Sequence, residues 1–200
     1  MSGTGDLRSI VQQHLCMGCG ACAAARPDVV KMIDTEEHGR RPLIKPGAAP
    51  EITESLAEIC PGREIGFSPA RTYDEAAWGP VLEVWEGHAT DATLRFSGSS
   101  GGVVSALALY CVESETVAGA VQVRARKDQP LLNETVISKT WDDILEASAS
   151  RYSPASPCEK LAEVRRDGRK HMFVGKPCDV AGATRLMDAD QRLRKSIALT

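Results

Sequence analysis

Three cysteines spaced by two residues constrain this chain more than any other feature. Residues 15–27 read LCMGCGACAAARP, so Cys16, Cys19 and Cys22 fall at consecutive two-residue gaps. Tight turns at Gly18 and Gly20 let such a segment wrap an object and point successive N–H groups inward. The bacterial iron–sulfur run is C-x2-C-x2-C-x3-C-P, whose fourth cysteine ligates the other cluster in two-cluster proteins. Here Arg26 occupies that fourth position and Pro27 follows it. A distant Cys-Pro completes the first cluster in that pseudo-symmetric arrangement, and Cys60-Pro61-Gly62 supplies it. Counting back from Cys60, a second run would need thiols at Pro50, Thr53 and Leu56, and none is present. The arithmetic predicts one 4Fe–4S cluster on Cys16, Cys19, Cys22 and Cys60. Two alternatives stay open: a zinc site on the same thiolates, and a three-iron cluster that leaves Cys60 unused.

Composition bears on what surrounds that site. Seven cysteines cannot all pair, and clustering of four in the first third reads as metal binding in a reducing compartment. No segment approaches the ~20 apolar residues of a membrane span, and no signal-like apolar stretch opens the chain. A cytoplasmic location is expected. A net charge of −3 and an aromatic content of 4% give no reason to expect nucleic acid as a partner.

A composition shift near residue 70 divides the chain. Residues 1–70 are rich in Cys, Pro and Gly. Within them, RPLIKPGAAPEI carries three prolines and cannot be one long helix. Beyond residue 71 the pattern alternates. PVLEVWEG, VAGAVQVRA, HMFVG and KSIALT read as strands. The stretches GGVVSALALYCVE, WDDILEAS, EKLAEVRRDG and PCDVAGATRLM read as helices. Val103, Ala106, Leu107, Tyr110 and Cys111 fall at helical spacing in the first helix. Thr140 and Asp143 form a capping pair, Gly168 is a stop, and Pro177 is a first helical residue. The order predicts βαβ units with a mostly parallel sheet. The chain ends on the apolar strand KSIALT, so a missing C-terminal part is expected.

Two further motifs carry chemistry. In RFSGSSGGVVSAL, Gly101 and Gly102 stand at a helix entry where Ser99 and Ser100 can cap it or donate to phosphate. A plain glycine-rich helix entry reads equally well. In FVGKPCDV, Cys178 follows Pro177 at a helix start, a position that lowers a thiol pKa, although a small buried side chain is the simpler reading. Cys158 receives no function, Cys111 reads as core, and the three tryptophans read as core or hinge residues.

The ordered set CMGCGACAAARP, CPG, WGP, SSGGVVSAL, SRYSPAS and VGKPCDVAG resembles the coenzyme F420 hydrogenase/dehydrogenase beta-subunit family. That resemblance implies an α+β protein: a small ferredoxin-like 4Fe–4S module, residues 1–70, followed by an α/β FAD-binding domain, residues 71–200, truncated at its C-terminus. It implies FAD and one 4Fe–4S cluster as cofactors. FAD contacts are expected from Ser99, Ser100, Gly101, Gly102, Ser150, Arg151, Tyr152, Gly175, Pro177 and Cys178. It implies an oxidoreductase that passes electrons between the cluster and a hydride-carrying small molecule such as coenzyme F420. Ferredoxin or an iron–sulfur partner subunit is the expected electron partner. No catalytic residue is singled out. The rival function is a flavin-free electron carrier that docks on a larger reductase.

Overall fold

The cysteine-rich segment folds around short capped helices. In a computed structural model, which describes residues 5–65, 73–75, 79–81 and 83–200, Asp6 caps α1 (Leu7–Gln12) by accepting from Ser9 N–H at 2.9 Å. Helix α2 (Ala21–Ala25) carries Cys22 and small side chains that let it sit deep in the core. Strands β1 (Val30–Thr35) and β2 (Gly39–Ile44) form an antiparallel hairpin. The proline-rich stretch resolves into the end of β2 and then α3 (Pro50–Glu58), which has Pro50 in its first turn, where no N–H is needed. Thr53 and Leu56 are buried on α3. Two of the three positions where a second cluster would need thiols thus serve packing.

Strands β3 (Tyr73–Glu75) and β4 (Gly79–Val81) pair antiparallel. The expected strand over PVLEVWEG does not continue: residues 83–87 are irregular, with Val84 and Trp85 87% and 85% exposed. Alternating apolar residues hold a strand only where another surface covers them, and here none does. Trp85 is therefore not a core residue. The expected boundary at 70/71 and Trp78 lie outside the described residues.

Helix α4 (Ala92–Ser97) leads through a 3-10 turn (Ser99–Gly102) into α5 (Val103–Glu113). Strand β5 (Ala120–Ala125), strand β6 (Asn133–Ser138) and helix α6 (Trp141–Glu146) follow. A second 3-10 turn (Pro157–Lys160) enters α7 (Leu161–Asp167), which ends on left-handed Gly168 as expected. Strand β7 (His171–Phe173), α8 (Pro177–Ala189), α9 (Gln191–Ser196) and β8 (Ile197–Leu199) complete the chain. The Thr140–Asp143 capping box and the position of Pro177 in the first turn of α8 both form as read.

The main sheet has the order β6-β5-β7-β8. Strand β5 pairs parallel with β7, and β7 with β8, but β5 and β6 are antiparallel. Two of the three pairings are thus parallel, as expected, and only the β5–β6 edge is antiparallel. The reason is the short link between β5 and β6, which can only turn the chain back, whereas a parallel neighbour needs a crossover. The helix α5 forms where expected, and Cys111 is buried as read. Ser105, Ala108 and Cys111 are buried, while Leu107 and Tyr110 are 47% and 68% exposed.

One core joins the cysteine segment to the sheet. Leu7, Cys19, Cys22 and Leu56 pack in the same buried cluster as Val121, Phe173 and Leu186. Each large apolar side chain so buried contributes on the order of 1.5–3 kcal/mol. A second cluster, including Ala108, Ile144 and Met172, lies beneath α5 and α6. Among the described residues, no helix is long and apolar enough to cross a membrane.

Candidate functional site

The four cysteines singled out by spacing lie near enough to shift one another's ionisation. Burial, and then the neighbouring Cys19, Cys16 and Cys60 thiols, push the Cys22 thiol far up. Burial likewise pushes Cys60 up to about 11, with Cys19 and Cys16 adding to it. Cys16 is raised by burial, with the Arg41 guanidinium acting in the opposite sense. All seven cysteines are free. Among the described residues, no three His, Cys, Asp or Glu side chains converge tightly enough to grip a single metal ion. Four thiols that share one desolvated pocket and disfavour each other's ionisation make a donor set that suits a thiolate-bound cluster, whose positive irons reverse that cost.

The turn that positions them is locked from across the chain. Gly20 adopts φ +87°, and a Cβ there would stand 2.9 Å from Glu159 Cγ and 3.1 Å from Ser156 Cβ. Cys158 N–H donates to Cys19 O at 2.9 Å. Ser156 Oγ donates to Gly18 O at 2.7 Å and receives Arg40 Nε–H at 3.3 Å, while Arg40 also pairs with Glu159.

Cys158, given no function from sequence, is fully buried beside Cys19. Its S–H donates to Asp179 O at 3.3 Å, and its closeness to Cys19 draws the Cys19 thiol below its ordinary range. The only sequence signal was its place after Pro157 at a turn, which says nothing of a neighbour far away in sequence. Arg26 forms a bidentate pair with Asp28 at 2.9 and 2.7 Å.

A cavity of about 760 Å³ opens beside the cysteine loop. That size lies in the usual range of small-molecule and cofactor sites. Met17 and Gly18, between two of the cysteines, form part of its wall. Of the expected flavin contacts, Ser99, Ser100, Ser150, Arg151, Tyr152 and Gly175 line it. Gly101, Gly102, Pro177 and Cys178 are not part of its lining. Tyr152 is 98% exposed at the rim. Arg40, Arg41, Arg151 and Lys176 give the lining a cationic excess over Asp179.

The glycine turn works differently from the expectation. No side chain caps α5, whose N-cap is Gly102 in the left-handed region at φ 72°. Ser99 Oγ instead accepts from Ser150 N–H at 3.0 Å, tying two cavity loops together. A Cβ on Gly102 would meet Leu94 O at 2.3 Å, so this glycine serves a backbone crossing. Cys178 is not activated: burial and then the adjacent Asp179 raise its thiol.

Arg151 donates to Asn133 Oδ1 at 3.2 Å and to Pro130 O at 2.9 Å, which fixes the loop that precedes Ser153. Across the cavity, Lys176 Nζ reaches the fully buried Asp179 at 2.7 Å at the start of α8. The cavity lies past β7, beside Val174 and Gly175, at the carboxyl ends of parallel strands where open α/β sheets place ligands.

Comparison with known proteins agrees with the resemblance seen in the motifs. Residues 84–163 match the family described as coenzyme F420 hydrogenase/dehydrogenase, beta subunit N-term. The coenzyme F420-dependent sulfite reductase of Methanocaldococcus jannaschii is 24% identical over 181 residues, 90% of this chain and 26% of that protein. The chain thus spans about a quarter of that relative's length. A chain of the F420-reducing NiFe hydrogenase complex of Methanosarcina barkeri, solved as a xenon derivative, aligns at 24% identity with a TM-score of 0.49. That alignment covers 55% of this chain and 38% of the other.

Proposed function

We propose that this chain, a member of the coenzyme F420 hydrogenase/dehydrogenase beta-subunit family through residues 84–163, is an iron–sulfur flavoprotein oxidoreductase subunit. Its cysteine segment, residues 1–70, would hold one 4Fe–4S cluster on Cys16, Cys19, Cys22 and Cys60. Residues 71–200 would provide an α/β cavity for FAD. The single observation that carries this reading is the shared wall: Met17 and Gly18 of the cysteine loop line the same cavity as Ser99, Ser100, Ser150 and Arg151.

When bound, a flavin supplies hydride exchange with one partner and single-electron exchange with a cluster. The protein's part is to bind and orient. Arg40, Arg41, Arg151 and Lys176 supply positive charge for a phosphate-bearing ligand. Ser99, held by Ser150 N–H, sets the spacing of two walls. Gly18 O, fixed by Ser156, keeps the cysteine loop against the cavity. The hydride partner is proposed to be coenzyme F420 or a related small molecule, with an iron–sulfur protein or subunit at the other end.

Anaerobic purification with iron, sulfide and flavin quantification tests the reading. About four iron and four sulfide per chain, with FAD bound after titration, are expected. Iron without any flavin binding would replace the enzyme with a flavin-free electron carrier. Zinc in place of iron would remove electron transfer altogether.

A further inference from the structure

Gln122 occupies the middle of β5, the strand between antiparallel β6 and parallel β7. It is 3% exposed, and its Oε1 is buried without a hydrogen-bond partner. Alternation along the strand puts it on the face of Ala120 and Arg124. Ala120 belongs to an apolar cluster. Arg124 is already committed to Glu134 at 2.9 Å and Glu146 at 2.6 Å. Among the described residues, none donates a hydrogen bond to that oxygen. The side chain does, however, line the cavity described above.

Buried carbonyl oxygens are nearly always paired, so an unpaired one in a cavity-lining residue marks a partner that comes from elsewhere. An apolar side chain such as those at 121 and 123 would fit the strand without that cost. We infer that Gln122 Oε1 accepts a hydrogen bond from a ring N–H of the cavity's ligand. This makes Gln122 a specificity residue for heterocycles with an imide-type edge, an N–H between two carbonyls, as in flavins. The inference rests on the flavin reading above and adds the atom by which the cavity recognises the ring. Of the charged groups at the cavity wall, Arg40, Arg41, Arg151 and Lys176 are donors only, and the Asp179 carboxylate is already taken by Lys176 at 2.7 Å.

The test uses the full chain with its cluster reconstituted, and two probes: FAD and its 3-methyl analogue, in which the imide N–H is replaced by N–CH3. Wild type should bind the methyl analogue at least about fivefold more weakly than FAD, the loss expected when a buried acceptor stays unpaired. Gln122→Leu and Gln122→Met should bind FAD more weakly than wild type and discriminate far less between the probes. Both ligand-free variants should melt at or above the wild-type temperature, since each removes an unpaired buried oxygen. A clear fall in melting temperature in both would assign the amide to the fold and overturn the inference. Equal binding of the two probes by wild type would overturn it as well, as would the same discrimination in wild type and variants. Failure of wild type to bind FAD at all, with four iron present, would bring down the flavin reading and this role together. Binding without discrimination brings down this role alone.

Discussion

Replacing Ser156 with Ala tests whether the cysteine loop depends on the segment before α7. Ser156 is 2% exposed and its hydroxyl donates to Gly18 O at 2.7 Å. It also accepts from Arg40 Nε at 3.3 Å. The variant deprives a buried carbonyl of this donor and the guanidinium of one acceptor. Arg40 keeps Glu159 and, at 3.4 Å, Asp34, so its share of the loss is small. The Gly18 carbonyl dominates, and an unsatisfied buried acceptor costs about 1–3 kcal/mol. For a chain of this size, 2 kcal/mol corresponds to a fall in melting temperature of roughly 4–8 °C. The assay is thermal unfolding of the metal-free protein, followed by the rate at which the reconstituted protein loses its visible iron–sulfur absorbance to a chelator. Both should worsen. Ser55→Ala is the control, because Ser55 Oγ caps only Ile52 O on an exposed face. It should change stability by less than about 0.5 kcal/mol. If Ser156→Ala matched that control in both measurements, the proposed lock between the cysteine loop and residues 156–159 would be wrong.

Other expectations follow from the same geometry. Cys60→Ala should leave a labile or three-iron cluster, read from iron content and spectrum; an intact and equally stable four-iron cluster would strike Cys60 from the ligand set. Arg26→Cys should not raise the iron content, because Pro50, Thr53 and Leu56 offer no thiols and Thr53 and Leu56 are packed in α3. Gly102→Ala should destabilise the chain by several kcal/mol, since its Cβ would stand 2.3 Å from Leu94 O at a positive φ; normal stability would refute the crossing. Asp143 accepts from Lys139 and Thr140 N–H at 3.0 and 3.1 Å, chiefly the former lowering its carboxyl. A lowered folded pKa gives stability above the unfolded value, near 3.9, that fades as pH falls through the folded one. The stability advantage of wild type over Asp143→Ala should therefore be full at neutral pH and vanish in strong acid; an advantage that persists there unchanged would contradict the linkage.

What could be read from the sequence was local. The capping pair Thr140–Asp143, the stop at Gly168 and the start at Pro177 each act within one turn of helix, and each formed as read. Strand β6, NETVIS, was missed because its burial comes from neighbours rather than from composition, with only Ser138 fully buried. The buried face of α5 was not legible because its apolar residues run almost all round, so spacing could not choose between Leu107 and Ala108. The apolar run after Val81 failed as a strand for want of a covering surface. In each case the deciding contact was distant in sequence.

The candidate site divides along the same line. Cysteine spacing has few explanations, so the proximity of Cys16, Cys19, Cys22 and Cys60, seen in their effect on one another's ionisation, could be read from four letters and a proline. The cavity could be read only in part. Ser99 was named for a cap or a phosphate, yet it binds Ser150 N–H, 51 residues away. Cys158 looked like filler after a proline, yet it lies against Cys19. Gln122 was the hardest to see. In AVQVRA, alternation assigns Gln122 and Arg124 to one polar face, the ordinary signature of a strand open to water. Arg124 obeys that reading by reaching Glu134 and Glu146. Gln122, two residues earlier, is instead buried, with its oxygen unpaired in a residue that lines the cavity. A residue whose pattern says solvent but whose surroundings are apolar needs a polar partner from outside the chain, and the cavity is where one can enter.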